Sequence, residues 1–335
     1  MKEIPNQDNW GILGHEKIVQ FLRFSIKQDK IAHAYLFCGQ KGLGKVAVAD
    51  KFAQSLICES QPKPCGECYA CRQYLKNAHP DIFRIEKNQD LKNISIEDVR
   101  DIQKVLSQKS FLNSYKVLII DGADHLSEGA SNSLLKTIEE PSSKTVIILI
   151  TSQKEALLKT VISRCQVINF LPVPKSQIFK YLENAGINRQ QSHILANLSN
   201  GIPAIAFKYL SDKNTLADYQ KQIEYLILLS GQDIYKKFEF SSKALDKEDS
   251  FPKRMSDLEK IIDRQLAIIR DLVLIKSGQG DLMVNFFAKE KLEKLSARYD
   301  VSGLIQIYRN LKEAKENILA NLSPNLILDN ILINF

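Results

Sequence analysis

Nowhere in the 335 residues does an apolar run approach the roughly 20 that cross a bilayer, and the first ten residues lack the apolar stretch of a secretory leader. A membrane protein is thereby excluded, and a cytoplasmic location is expected. No basic tail or arm stands out either. The net charge of +7 comes from 23 basic and 19 acidic groups in residues 1–170 and from 23 and 20 in residues 171–335. A chain that clamps nucleic acid alone concentrates its lysines and arginines on one element, so any DNA contact here is expected to be shared with partners. Histidine is scarce, and His15 and His33 have no acidic or cysteine partner at a useful spacing. Both read as hydrogen-bonded structural groups rather than catalysts.

What is present is a globular composition, 44% hydrophobic and 25% charged, in a chain long enough for two or three domains. The most informative stretch is Ala34 to Lys45, where an apolar strand runs into Gly39-Gln-Lys-Gly42-Leu-Gly44-Lys45. This is the phosphate-loop spacing. Glycines let successive backbone N–H groups turn around a phosphate, the next helix adds its positive end, and the lysine supplies a mobile charge. The following residue should be Ser or Thr to hold magnesium, and it is Val46. The loop should fold, while one metal ligand that hydrolysis needs is missing. Beyond it, Val48, Phe52 and Leu56 put an apolar stripe on a helix.

Four of the six cysteines, Cys58, Cys65, Cys68 and Cys71, fall within fourteen residues. In a cytoplasmic chain such thiols suit a closed, tetrahedral, structural zinc site. An iron–sulfur cluster is the rival, but its ferredoxin run needs a further cysteine followed by proline, where Leu75 and Lys76 stand. Cys38 lies in an apolar strand and reads as a small core residue.

Short strands are expected at Asp81–Ile85, Lys116–Asp121, Thr145–Ile150 and Val167–Phe170, with helices starting near Ser95 and Asp98, over Glu128–Glu140 before Pro141, and over Glu155–Thr160. Fully apolar strands belong to parallel sheets, so the repeated strand–helix order predicts a three-layer α/β domain. Asp121, at a strand end beside the loop, reads as a magnesium partner or as a helix cap. Where hydrolysing relatives of this architecture carry a glutamate next, the chain has Gly122. Thr151 and Ser152 stand where such folds sense the terminal phosphate. The remainder is helical, with a linker at Leu171–Pro174, three short helices over Ser176–Leu210, and turns at Ser250–Pro252 and Ser277–Gly280.

The loop, the cysteines, Asp121-Gly-Ala-Asp-His-Leu126, Asn132-Ser-Leu-Leu-Lys-Thr-Ile-Glu-Glu-Pro141 and Ser163-Arg164-Cys165 together closely resemble the clamp-loader AAA+ proteins. The likeness spans residues 10 to about 210 and returns weakly at Asn321–Phe335. It implies a P-loop domain at 1–170 with the zinc module at 58–71, a helical lid at 171–211 and an all-α collar at 212–335. In that family the Ser-Arg-Cys arginine reaches the ATP of a neighbouring subunit, which would make Arg164 an arginine finger in trans. The lid often carries another arginine facing the nucleotide, and the matching position here is Ala204. All three departures, Val46, Gly122 and Ala204, imply a non-hydrolysing member of the bacterial DNA polymerase III assembly. Its implied partners are gamma or tau and delta subunits, with the sliding clamp and primed DNA reached through the complex. Gly39, Gly42, Gly44, Lys45 and Asp121 would form a degenerate site for ATP or ADP. One alternative is an active gamma- or tau-type ATPase, which needs the missing hydroxyl and glutamate and usually further domains. Another is a zinc-dependent nucleic-acid-binding module, for which the stretch Cys58–Cys71 offers only Lys63 and Arg72.

Overall fold

The structure, a computed structural model, describes residues 9–86, 94–106, 108, 110, 114–142, 144–246, 248–317 and 323–334. Most of the leader reading at residues 1–10 lies outside the described residues, as do Asn321, Leu322, Phe335 and the side chain of Asp98. The chain divides into two compact units, residues 1–187 with 201–205, and residues 188–200 with 206–335.

Among the described residues the first unit is built on five parallel strands, β1 (Ala34–Cys38), β2 (Ile82–Glu86), β3 (Lys116–Asp121), β4 (Thr145–Thr151) and β5 (Gln166–Asn169), in the order β2-β3-β4-β1-β5. The sheet is parallel because each strand is followed by a helix that returns the chain to the same end. Around it lie α1 (Glu16–Lys27), α2 (Lys45–Ile57), α3 (Tyr69–Leu75), α4 (Ile96–Leu106), α5 (Glu128–Glu139) and α6 (Lys159–Ile162), and the unit also includes α7 (Lys175–Asn184). Strand alternation makes the layers. Tyr35, Phe37, Val117, Ile119, Ile148 and Ile150 pack with Leu22 of α1 and Phe52 of α2 on one face. Leu36, Leu118, Ile120, Ile147 and Leu149 pack with Val99 of α4 and Leu134 of α5 on the other. The central strands β1 and β4 are buried along their whole length, whereas β5, at the edge, alternates toward solvent. This is the expected three-layer α/β domain.

Three local expectations change, the first being the strand expected at Asp81–Ile85, which runs one residue later as β2. Residues 155–160 are not one helix but a single 3₁₀ turn, Lys154–Ala156, followed by the four-residue α6. The fifth strand starts at Gln166 and stops at Asn169, one residue early, where the Phe170 amide makes the last bond to Cys38.

The second unit contains α8 (Arg189–Leu198), most of α9 (Pro203–Ser211), α10 (Lys213–Leu229), α11 (Ile234–Ala244), α12 (Phe251–Lys276), α13 (Lys289–Ser296), α14 (Val301–Asn317) and α15 (Pro324–Ile333). Its core is one cluster that includes Ile223, Leu258, Ile262, Ile269, Leu292, Leu304, Leu311 and Leu328. Ser250–Pro252 is not a turn between helices. Ser250 occupies the N-cap position of the 26-residue α12, without a side-chain capping bond, and Pro252 sits in its first turn, where a missing N–H costs nothing. Among the described residues, no helix is long and apolar enough to cross a membrane.

Candidate functional site: a closed phosphate loop, a thiol cluster and an exposed arginine

The carboxyl ends of β1, β3 and β4 bring Gly39, Asp121 and Thr151 to one edge of the sheet, the crevice where open parallel sheets bind ligands. The loop folds as its glycines require, with Gly39, Gly42 and Gly44 at φ of 145°, 87° and 96°. Lys45 is not extended toward solvent. It is buried, and its ammonium donates to the carbonyls of Gly39 at 2.5 Å and Gln40 at 2.8 Å. Burial pushes its pKa down, and the nearby carboxylates of Asp121 and Asp124 oppose that shift. The lysine charge is therefore already enclosed by oxygen atoms of the chain.

A second element closes over the loop. The Ala204 amide donates to the Gly42 carbonyl at 3.2 Å, and a Cβ on Gly42 would lie 2.8 Å from Ile202. The position where the lid arginine is expected thus carries a methyl group against the phosphate loop. His15, read as structural, bonds the Leu43 carbonyl through Nε2 at 2.8 Å, and its ring lies 4.8 Å from that of Phe170. A carbonyl only accepts, so Nε2 carries the proton. Burial holds this imidazole below its ordinary pKa.

Thr151 does not wait for a phosphate. Its hydroxyl donates to Asp124 Oδ1 at 2.8 Å and accepts from the Gln153 amide at 3.0 Å. Asp121, partly exposed, lies beside Gly122, whose φ of 83° begins the turn after β3. Val46 packs against the apolar layer below the loop.

The four cysteines come together as the spacing predicts, with all four sulfur atoms within 4.8 Å of one another. Backbone amides support the cluster: Cys65 donates to Cys58 Sγ at 3.3 Å, Cys68 to Cys65 Sγ at 3.3 Å, and Cys71 to Cys68 Sγ at 3.4 Å. Amides from Cys68 and Glu67 pull the Cys65 thiol down to about 6. A tetrahedral ion about 2.3 Å from each sulfur separates the sulfurs by about 3.8 Å. The Cys65–Cys71 separation of 3.9 Å fits that geometry. The cluster is tied to the sheet domain by the Trp10 indole, which donates to Lys63, and by α3, where the Tyr74 hydroxyl donates to Asp50 of α2 at 3.0 Å. Arg84 of β2 joins that carboxylate at 2.6 Å. Burial pushes the sixth cysteine, Cys165, up to about 12 and also raises Cys38, which disfavours the thiolate at both.

Arg164 follows α6 and is exposed, but it is not simply solvated. Its Nε donates to Glu139 Oε1 at 2.6 Å, and its Nη1 donates to the Thr160 carbonyl at 3.1 Å and to Ser163 Oγ at 3.3 Å. Ser163 in turn donates to Thr160 at 3.0 Å. Cys165 packs against the apolar layer of α5 and α6, anchoring the end of the motif. The Glu139 contact had no signal in spacing, because it joins the ends of two helices far apart in the chain.

Residues 14–174 match the family described as DNA polymerase III, delta subunit. Over 318 residues, 95% of this chain and 94% of the relative, the chain is 28% identical to DNA polymerase III subunit delta' of Bacillus subtilis (strain 168). It is 40% identical over 136 residues to subunit delta' of Pseudomonas aeruginosa, 40% of this chain and 42% of that one. The chain is thus similar to delta-prime subunits of DNA polymerase III, over nearly its whole length in the Bacillus subtilis relative. Against subunit tau of Bacillus subtilis it is 27% identical over 95% of its own length but spans only 59% of the relative. The delta-prime match therefore accounts for both chains along nearly their whole length, which the tau match does not.

Proposed function

We propose that this chain is a delta-prime clamp-loader subunit that does not turn over ATP itself and lends Arg164 to the ATP held by a neighbouring gamma or tau subunit. Together with gamma or tau and delta, in the cytoplasm, it would help place a sliding clamp on primed DNA, with residues 171–211 as a lid and residues 212–335 as the collar that joins the subunits. The observation that carries this reading is the pairing of a disabled phosphate site with an exposed Ser-Arg-Cys arginine. The site has Val46 where magnesium needs a hydroxyl, Gly122 where water needs a base, and a lysine bound to its own loop. A phosphate enters only if Lys45 releases the Gly39 and Gln40 carbonyls.

An arginine suits the task because its planar fork grips two phosphoryl oxygens, which lysine does not. In comparable sites such a residue contributes on the order of 10³ to 10⁵ in rate. Arg164→Ala and Arg164→Lys are expected to fold and assemble normally while lowering DNA- and clamp-stimulated ATP hydrolysis by the reconstituted complex. The drop is smaller than the full factor because other subunit boundaries keep their own arginines. Unchanged hydrolysis and clamp loading by both variants in intact complexes would refute the reading.

The thiol cluster we assign to one structural zinc held by Cys58, Cys65, Cys68 and Cys71. All four ligands come from the protein, which leaves no position open for catalysis. Its role is to fold a segment too poor in apolar residues to hold itself.

A further inference from the structure

Arg164 carries five N–H groups in a fixed plane, and its orientation decides which of them meet a neighbouring phosphate. Three contacts set that plane. Nε donates to Glu139 Oε1 at 2.6 Å, and Nη1 donates to Thr160 and Ser163 at 3.1 and 3.3 Å. Nη2 takes part in none of these bonds. Glu139 is the last residue of α5, a helix whose Ala130, Leu134 and Ile138 are fully buried against the sheet. Its carboxylate is thus presented from a rigid element, whereas Thr160 and Ser163 belong to the arginine's own short turn.

We propose that Glu139 is a positioning residue for Arg164: by accepting from Nε it fixes the guanidinium plane and leaves Nη2 to meet the phosphate of a partner subunit. The inference rests on the proposed role of Arg164 in trans. Its chemistry is specific. Nε needs a single acceptor, so a neutral amide oxygen serves nearly as well as a carboxylate, and the charge itself is not required. The ion pair is also half exposed, so its loss changes stability little. A misdirected guanidinium, by contrast, loses the alignment on which transition-state stabilisation depends.

The test uses the full chain reconstituted with gamma or tau and delta subunits, with ATP, sliding clamp and primed DNA. Glu139→Ala is expected to leave the melting temperature and complex assembly unchanged and to lower the kcat of stimulated hydrolysis about tenfold at the boundary this chain completes, with little change in KM for ATP. Glu139→Gln should restore kcat to within about twofold, because its amide oxygen still accepts from Nε. In an Arg164→Ala background, Glu139→Ala should have no further effect. If Arg164→Ala lowers kcat while Glu139→Ala does not, or if Glu139→Ala raises it, the positioning role is refuted and the arginine finger stands. If Arg164→Ala itself has no effect, both fail.

Discussion

The amide of Ala204 donates to the carbonyl of Gly42 at 3.2 Å, joining the segment Gly201–Ile205 to the phosphate loop. The contact exists because Gly42 lacks a Cβ. A methyl group there would stand 2.8 Å from Ile202 and 3.0 Å from Ala204, on a backbone with φ of 87°.

Gly42→Ala is therefore expected to destabilise the protein by about 2 kcal/mol or more, from backbone strain together with displacement of Ile202. Gly44→Ala is the control. It carries similar strain at φ of 96° but meets no atom within 4 Å, so it should cost about 1 kcal/mol. Urea unfolding of both variants checks the difference, and equal losses would show that the closing segment is not packed on the loop.

The isolated chain is expected not to turn over ATP, since a missing general base alone removes roughly 10² to 10⁴ in rate. Val46→Thr keeps the side-chain shape and restores the magnesium hydroxyl, and it should tighten binding of magnesium-ATP in calorimetry. Gly122→Glu is the harder change, because a glutamate at φ of 83° adds about 1 to 2 kcal/mol of strain. The double variant should gain nucleotide affinity more readily than hydrolysis. Steady turnover by the unmodified chain, abolished by Lys45→Ala, is the contrary result.

Metal analysis should find about one zinc per chain, and Cys68→Ser should lower both zinc content and the melting temperature. Tyr74 of α3 bonds Asp50 of α2, so loosening is expected to reach the helix after the phosphate loop. Protein purified without oxygen that contains iron and absorbs visible light would point to a cluster instead.

Gln265, in the middle of α12, is fully buried, and neither its amide oxygen nor its amide nitrogen has a hydrogen-bond partner among the described residues. An unpaired buried amide costs about 1 to 3 kcal/mol. Gln265→Met keeps the length and the helix propensity while removing the polar atoms, so it should raise the melting temperature. A lowered value would mean that the amide is satisfied in the folded protein in solution.

Much of the first unit was legible from the chain alone. The glycine spacing at 39, 42 and 44, the apolar runs of β1, β3 and β4, and the four clustered cysteines are local patterns, and backbone geometry and ligand chemistry act on them over a few residues. The missing hydroxyl at Val46 and the missing carboxylate at Gly122 were equally plain, because function there depends on residue type at a set place in a motif. Proline at position 252 misled, since the same ring that ends a helix also fits its first turn, and only the downstream packing of Leu258 and Ile262 decides between them.

What tertiary structure decided is which groups satisfy one another. Lys45 has found the carbonyls of its own loop, Thr151 has found Asp124, and Arg164 has found Glu139. None of these pairings has a period or a spacing. The Lys45 bonds close within one loop, whereas those of Thr151 and Arg164 join atoms brought within about 3 Å by the order in which strands pair and helices pack, and a hydrogen bond or ion pair exists only at that range. The residues able to act were written in the chain, and the fold decided whether each one meets a partner within the chain or is left facing outward.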